Sequence, residues 1–275
     1  MTILLGLLAA AAWSVVNLWL VPLSRRLPPL LTMLALLAAS TLATAPLALA
    51  FEGFPGPDAR SRLPVVALAG LLEVAAFACY LVAVRNGSLA VIAPLLGLSG
   101  GVAALIAIVT GEQITGVVAA GLVLAVCGTA LACAQRGERR VQGVGWAIAS
   151  GGLFGIMFTM YAAAEPLQSF SAVTSARIAA VLALGPIVLL RTHVPITRHE
   201  LLQLVAIGAL DAVGFCAFVA AASNGPVSVA SVCAAQFSTL TVALGIILLR
   251  ERPARIQLAG VALTLVGTSL LATAG

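Results

Sequence analysis

The chain sets an acid near the middle of a long apolar stretch, and it does so twice in the same surroundings. Leu72-Glu73-Val74-Ala75-Ala76-Phe77-Ala78-Cys79-Tyr80 returns 138 residues later as Leu210-Asp211-Ala212-Val213-Gly214-Phe215-Cys216-Ala217-Phe218. The same offset carries Asn86-Gly87 onto Asn224-Gly225. One residue more carries Glu112, Gly121, Gly128 and Thr129 onto Glu251, Gly260, Gly267 and Thr268. A duplicated chain folds as two like halves, and an odd number of membrane crossings in each half inverts one against the other. Inverted halves commonly hold a solute site between them.

The solvent that this chain is built for follows from its composition. Hydrophobic residues make up 62% and charged residues 8%, against about 25% charged in a soluble domain. Two soluble domains are therefore excluded, although the length would allow them. The apolar residues gather into runs near 3–22, 29–50, 63–84, 89–109, 114–134, 143–163, 170–190, 200–222, 227–248 and 255–273, each about the 20 residues that a membrane helix needs. Helices are expected, because a backbone in hydrocarbon must satisfy its own N–H and C=O groups, and these runs lack the alternation of a β-barrel. The apolar start continues to Pro22 with no basic residue before it, so it reads as the first membrane helix rather than a cleaved signal. The expected fold is an all-α membrane protein of ten spans: a five-helix repeat over 1–135, a linker over 136–142 and a second five-helix repeat over 143–275.

The net charge of +5 lies mostly in loops and carries no Lys, which argues against a nucleic-acid partner. Loops after odd-numbered runs hold Arg25, Arg26, Arg85, Arg136, Arg139, Arg140, Arg191, Arg198, Arg250, Arg252 and Arg255; the opposite loops hold Arg60 and Arg62. The positive-inside rule puts the odd loops in the cytoplasm and both termini outside. The five Cys are scattered through apolar runs without metal-ligand spacing and read as small buried hydrophobes. The only His residues, His193 and His199, have no catalytic cluster around them, and no phosphate-binding loop exists, so neither an enzyme nor an ATP-driven pump is expected and no cofactor is implied.

Turn chemistry is repeated as well. Asn86-Gly87 and Asn224-Gly225 are expected to end one helix with a left-handed Gly and start the next, Pro226 fitting its first turn. Gly121 with Gly128, and Gly260 with Gly267, are seven residues apart on one helix face, where small side chains let membrane helices approach closely. Glu112 and Glu251, at helix ends among Arg residues, read as caps or surface ion pairs.

These features resemble the drug/metabolite transporter superfamily, in its EamA-type branch, over essentially the whole chain. The resemblance rests on Gly111-Glu112 followed by Gly121 and Gly128, and on Glu251 followed by Gly260 and Gly267. Trp13-Ser14, Phe154-Gly155 and Ala93-Pro94 add to it. Arg250 departs from the pattern, standing where a Gly is expected before Glu251. The resemblance implies ten helices in two inverted repeats around a central cavity that works by alternating access. Family members export amino acids and other metabolites or move sugars and drugs.

Within the runs, Glu73 and Asp211 are the acids at mid-membrane, where a charge costs about 2.5–3.5 kcal/mol on insertion scales and is seldom kept without a partner or a task. Acid, +4 and +7 share one helix face, which aligns Glu73 with Phe77 and Tyr80, and Asp211 with Phe215 and Phe218. Both acids are candidates for proton coupling or for holding a solute ammonium group; alternatively they neutralise Arg177. Arg177, the only cation well inside a run, either grips a solute carboxylate or serves as the acids' counter-ion. Trp13 and Asn17 in the first run, with Phe154 and Phe158 in the sixth, line a cavity or pack as scaffold. Gln236, among Ser231, Ser238 and Thr239, bonds to solute or to neighbouring helices. The expectation is a multi-pass transporter of the plasma (bacterial inner) membrane that exports a small polar metabolite. An amino-acid-like solute is favoured, with protons as the coupling ion and membrane lipids around a monomer or homodimer. A sugar or nucleoside carrier, an uncoupled facilitator, and a lipid flippase or intramembrane enzyme are the alternatives.

Overall fold

The computed structural model describes residues 1–24, 26–86, 95–132, 143–191, 194, 196–241, 244 and 254–274. Among the described residues the apolar helices of nine residues or more are α1 (Thr2–Ser24), α2 (Pro29–Leu47), α3 (Leu63–Asn86), α4 (Ser99–Val109), α5 (Gly116–Ala132), α6 (Val144–Ala162), α7 (Ser169–Arg191), α8 (Arg198–Ser223), α9 (Val227–Ala235) and α10 (Arg255–Ala274). Six apolar helical segments, Thr2–Leu20, Pro29–Glu52, Pro57–Ala83, Val144–Ala162, Ser169–Arg191 and Arg198–Ser223, are long and apolar enough to cross a membrane. The other four expected runs fall on shorter apolar helices, Leu95–Val109, Gly116–Leu131, Val227–Thr241 and Arg255–Leu271. There is no strand among the described residues.

Local chemistry sets several ends. Pro29 opens α2 where a missing N–H costs nothing. Thr197 and Glu200 close a reciprocal capping box on α8. Pro46 lacks the N–H for the helix ladder, and α2 then widens into a π-turn at Ala48–Glu52. A one-turn helix at Pro57–Arg60, not expected from the sequence, leads into α3.

The packing repeats with a period of five helices. α3 lies against α6 and α7, as α8 lies against α1 and α2. α1 lies against α9 as α6 lies against α4, and the pairs α2–α7, α4–α9 and α5–α10 each join a helix to its own counterpart. Exchanging the two repeats therefore returns each of these main pairs, whereas the smaller contacts of α8 with α7 and α9 have no comparable α2–α3 or α3–α4 counterpart among the described residues.

Glycines make the closest of these meetings. A Cβ on Gly128 would stand 2.5 Å from the Thr264 nitrogen and 2.9 Å from the Gly260 oxygen; one on Gly267 would stand 2.5 Å from the Ala125 nitrogen and 2.8 Å from the Gly121 oxygen. The duplicated glycines thus face each other across the α5–α10 contact, as small residues do where helices must associate without hydrophobic drive. The sequence reading did not single out Gly70 and Gly208, which share the 138-residue offset. A Cβ on Gly70 would fall 2.0 Å from the Ala176 oxygen of α7, and one on Gly208 2.8 Å from the Leu36 oxygen of α2.

One turn reading is corrected. Gly225 is not among the left-handed glycines, which in the described residues are Gly53, Gly111 and Gly143. Asn224 at the end of α8 and Asn86 at the end of α3 each donate Nδ2 to the carbonyl four residues back, at 2.7 and 2.8 Å. Gly225 is needed instead for space, since its Cβ would lie 2.3 Å from Thr2 Oγ1. Pro226 precedes the first turn of α9 as its N-cap. Gly87 and Ala93-Pro94 lie outside the described residues.

The exterior is apolar. Leu4, Leu42, Leu105, Val109, Leu182 and Leu190 are all exposed, a coverage that lipid tolerates and water does not.

Gly128→Leu is expected to destabilise the protein by about 1–3 kcal/mol through overpacking at the α5–α10 contact, read as a lower melting temperature in detergent. Gly145→Ala meets nothing within 4 Å and is expected to leave stability unchanged or raise it by about 0.4–1 kcal/mol.

Candidate functional site

Both repeat-matched acids and the single mid-membrane cation meet at one point. Arg177 of α7 has no exposed surface. One of its terminal nitrogens, Nη1, donates to Glu73 Oε2 on α3, and the other, Nη2, donates to Asp211 Oδ2 on α8 at 2.7 Å. Glu73 and Asp211 are themselves buried, at 7% and 5% exposure. The guanidinium also lies over the Phe215 ring, its Cζ 4.1 Å from the centroid, which adds a cation–π attraction in a desolvated place.

Backbone geometry explains how α3 comes near enough. Gly70 sits one turn before Glu73, and its missing side chain lets α3 touch the α7 backbone at Ala176, the residue next to Arg177. Gly208 sits in the same relation to Asp211 and admits α2 at Ala39 and Ser40. A buried charge costs several kcal/mol unless it is paired with good geometry. Here two carboxylates share one guanidinium, so with all three ionised the group carries one uncompensated negative charge.

Aromatic rings cover the triad. Trp13 of α1 stacks on Phe158 of α6 at 5.7 Å between centroids and meets Phe215 edge-on at 4.7 Å, Phe218 at 6.4 Å and Phe237 edge-on at 6.1 Å. Phe158 and Phe218 are 4.7 Å apart, and Tyr161 lies 5.3 Å from Phe215. Gly214 makes room for the indole, because a Cβ there would stand 2.6 Å from Trp13 Nε1. Ser14 hydrogen-bonds the carbonyls of Ala10 and Phe237, fixing α1 to the stretch after α9. The centre expected to hold a cavity is filled here by packed rings.

Of the residues singled out in the sequence, Trp13, Phe158, Arg177, Glu73, Asp211, Phe215 and Phe218 converge, and Phe154 packs against the same cluster. Phe77 and Tyr80 share a helix face with Glu73, and their rings are 5.7 Å apart. Phe77, however, packs against Met33, Leu37 and Leu184 between α2 and α7, and Tyr80 packs beside Ala83 and Ala147 near α6. Asn17 is half-buried one turn beyond Trp13. Gln236 is engaged elsewhere: its Oε1 accepts from Thr129 and Thr239 at 2.9 and 3.3 Å, and its Nε2 donates to Val232 O at 3.1 Å. Ser231 and Ser238 likewise bond to carbonyls of their own helical segment. Tyr161 and Phe237 join the site without having been anticipated. Tyr161 was visible as one of only two Tyr, three residues after Phe158 in the same run.

Two further carboxylates tie the repeats together at helix ends. Glu112 accepts from the backbone N–H of Val227 at 2.7 Å and of Ser228 at 3.2 Å, and from the Ser228 hydroxyl. This is the cap expected of Glu112, placed on the partner repeat. Glu52, which the sequence reading passed over as loop, accepts from Phe170 N at 2.9 Å and Ser171 N at 2.7 Å. Each neutralises free N–H groups and the positive end of a helix dipole, α9 for Glu112 and α7 for Glu52. Glu251 lies outside the described residues.

The EamA-like transporter family profile matches residues 1–134 and again residues 141–273. Curated proteins give no significant match. Among solved structures, one crystal structure of a protein superposes with a TM-score of 0.82 over 98% of this chain and 97% of that one, at 18% sequence identity. That likeness extends to the fold.

Arg177→Met is expected to destabilise the protein by about 3–5 kcal/mol, because it leaves two buried carboxylates without their partner. Adding Glu73→Gln and Asp211→Asn to it should recover part of that loss. Thermal unfolding of the single and triple variants measures both effects; additive losses would mean that the three side chains are not energetically coupled.

Proposed function

The chain belongs to the EamA-like transporter family, and from that premise we propose that it is a secondary-active carrier that exports a small, amino-acid-like solute by alternating access. The family is one of transporters and not of enzymes, and the apolar helices make the chain a multi-pass membrane protein. In our reading each repeat crosses the membrane five times. An odd number turns the second repeat over, and the return of the main helix pairs on exchange of the repeats supports a two-fold arrangement of this kind.

The observation that carries the reading is the shared guanidinium. A group with two acids and one cation in a dry interior has room for one more positive charge. A proton on Glu73 or Asp211 supplies it, and so does a solute ammonium group. Either arrival frees Arg177 from one carboxylate, and a guanidinium so released is a fork for a solute carboxylate. A molecule bearing both charges engages both changes, which favours an amino-acid-like solute over a sugar. Protons are the coupling ion in this scheme, and the membrane is the plasma membrane.

Alternating crossings bring Glu52, Glu112 and the starts of α7 and α9 to one face, the face where α1 begins. The Arg distribution makes that face external. The two cross-repeat caps and the ring cluster describe a conformation closed on that side.

Vesicles containing the purified protein and loaded with labelled amino acids should show efflux driven by an inward proton gradient. Glu73→Gln and Asp211→Asn should each lower the driven flux at least tenfold and flatten its pH dependence. Normal flux in both variants at every pH would reduce the acids to scaffold.

A further inference from the structure

Three donors around the triad are buried without a hydrogen-bond partner: the Nε–H of Arg177, the hydroxyl of Tyr161 and the Nε1–H of Trp13. The groups that carry them surround one phenyl ring. Arg177 lies over the face of Phe215 at 4.1 Å, Trp13 meets it edge-on at 4.7 Å, and Tyr161 is tilted against it at 5.3 Å. Tyr161 is close enough for the charges of Arg177, Glu73 and Asp211 to act on its hydroxyl. The indole N–H lies toward Asp211 without reaching hydrogen-bond geometry.

A buried donor left unpaired is costly, and folded proteins keep few of them. Tyr161 is 1% exposed and packed into an apolar cluster, where Phe would fill the same space without that cost. All three unpaired groups at this place can donate. What answers a set of neighbouring donors is an acceptor, and once a proton or a solute ammonium offsets the excess negative charge of the triad, the acceptor that a guanidinium favours is a carboxylate. The acids take hydrogen bonds from the terminal nitrogens of Arg177, Nη1 and Nη2, which leaves the Nε–H without a partner.

We propose that Tyr161 Oη and Arg177 Nε form a donor subsite that takes the carboxylate of the solute, with Trp13 as its wall. The proposal rests on the reading of the chain as a carrier of amino-acid-like solutes and adds the end of the solute that each group reads. The carboxylate goes to Tyr161 and Arg177 Nε, and the ammonium goes to Glu73 and Asp211. Tyr161 then acts by contact with the solute, and its hydroxyl sets the preference for acids over neutral analogues.

The test uses the full-length protein in detergent. Thermal stabilisation is followed against L-alanine, L-threonine, L-leucine and L-phenylalanine, each beside its α-carboxamide. Wild type is expected to bind at least one of the acids tenfold or more tightly than its amide. Tyr161→Phe is expected to be at least as stable as wild type without solute, since it loses no partner. It should bind that acid about tenfold more weakly, with its preference over the amide largely gone. The proposal is overturned if Tyr161→Phe keeps the wild-type affinity and preference. It is also overturned if wild type shows no preference for acids, or if the Phe variant loses stability without solute and keeps its selectivity, the signature of a hydroxyl bonded to water alone. Flux of an amide through wild-type vesicles would in that event leave the transporter reading standing while the subsite falls.

Discussion

A guanidinium with no exposed surface, inside a protein whose outside is lipid-like, depends wholly on what the chain brings to it. Moving such an ion out of water costs several kcal/mol even after relaxation. Arg177 is held by Glu73, Asp211 and the face of Phe215, and those contacts dictate where three helices must lie. α3 and α8 have to bring their acids to α7 from two sides. The glycines one turn before each acid permit the approach, Gly70 by letting α3 reach the α7 backbone and Gly208 by letting α8 settle onto α2. The rings of Trp13, Phe158 and Phe218 then close a dry cover. Remove the charge group and the aromatic cover, the glycine contacts and the tilt of α3 and α8 lose their common reason.

The duplication makes the site nearly symmetric, and function lives where the symmetry fails. Acids occur at matching places on α3 and α8, yet the cation comes from α7 alone, since the equivalent α2 carries no Arg. Phe215, four residues after Asp211, reaches the guanidinium, whereas Phe77, four residues after Glu73, turns into the α2–α7 packing. The indole of Trp13 leans on the second copy through Gly214 and Phe215. A site built on one axis thus has two unlike ends, as the proposed amino-acid-like solute requires.

Much of this was legible before any coordinates. Hydrophobic runs longer than a soluble core helix name the membrane as solvent, the 138-residue offset points to the paired acids and the paired helix ends at Asn86 and Asn224, and one residue more points to the facing glycines. What was not legible depends on contacts between distant elements. Nothing in the sequence around Glu52 says that it will cap a helix beginning at Ser169, because the two meet only when α2 packs on α7. Gln236 allowed a bond to solute or to neighbouring helices by type and position, and here Thr129 and Thr239 take its carbonyl. Arg177 allowed two roles from the sequence, and only the distance to both acids shows that it is their counter-ion in this conformation.

Three of the links between the repeats differ in what can loosen them. The α5–α10 contact is small residues against backbone and responds to neither charge nor solute. The Glu52 and Glu112 caps lie at helix ends, where water competes for the same N–H groups. The triad alone is both dry and incompletely neutralised, so a proton or a solute ammonium changes its energy from within. A ligand shifts a conformational equilibrium only by its difference in affinity for the two states, and moving one from 1:99 to 99:1 takes about 5.5 kcal/mol. Neutralising a buried charge and re-pairing a guanidinium are interactions of that size. Loosening a surface cap, at about 0.5–2 kcal/mol, is not. In the proposed carrier, coupling between what binds and how the repeats rearrange therefore runs through Arg177.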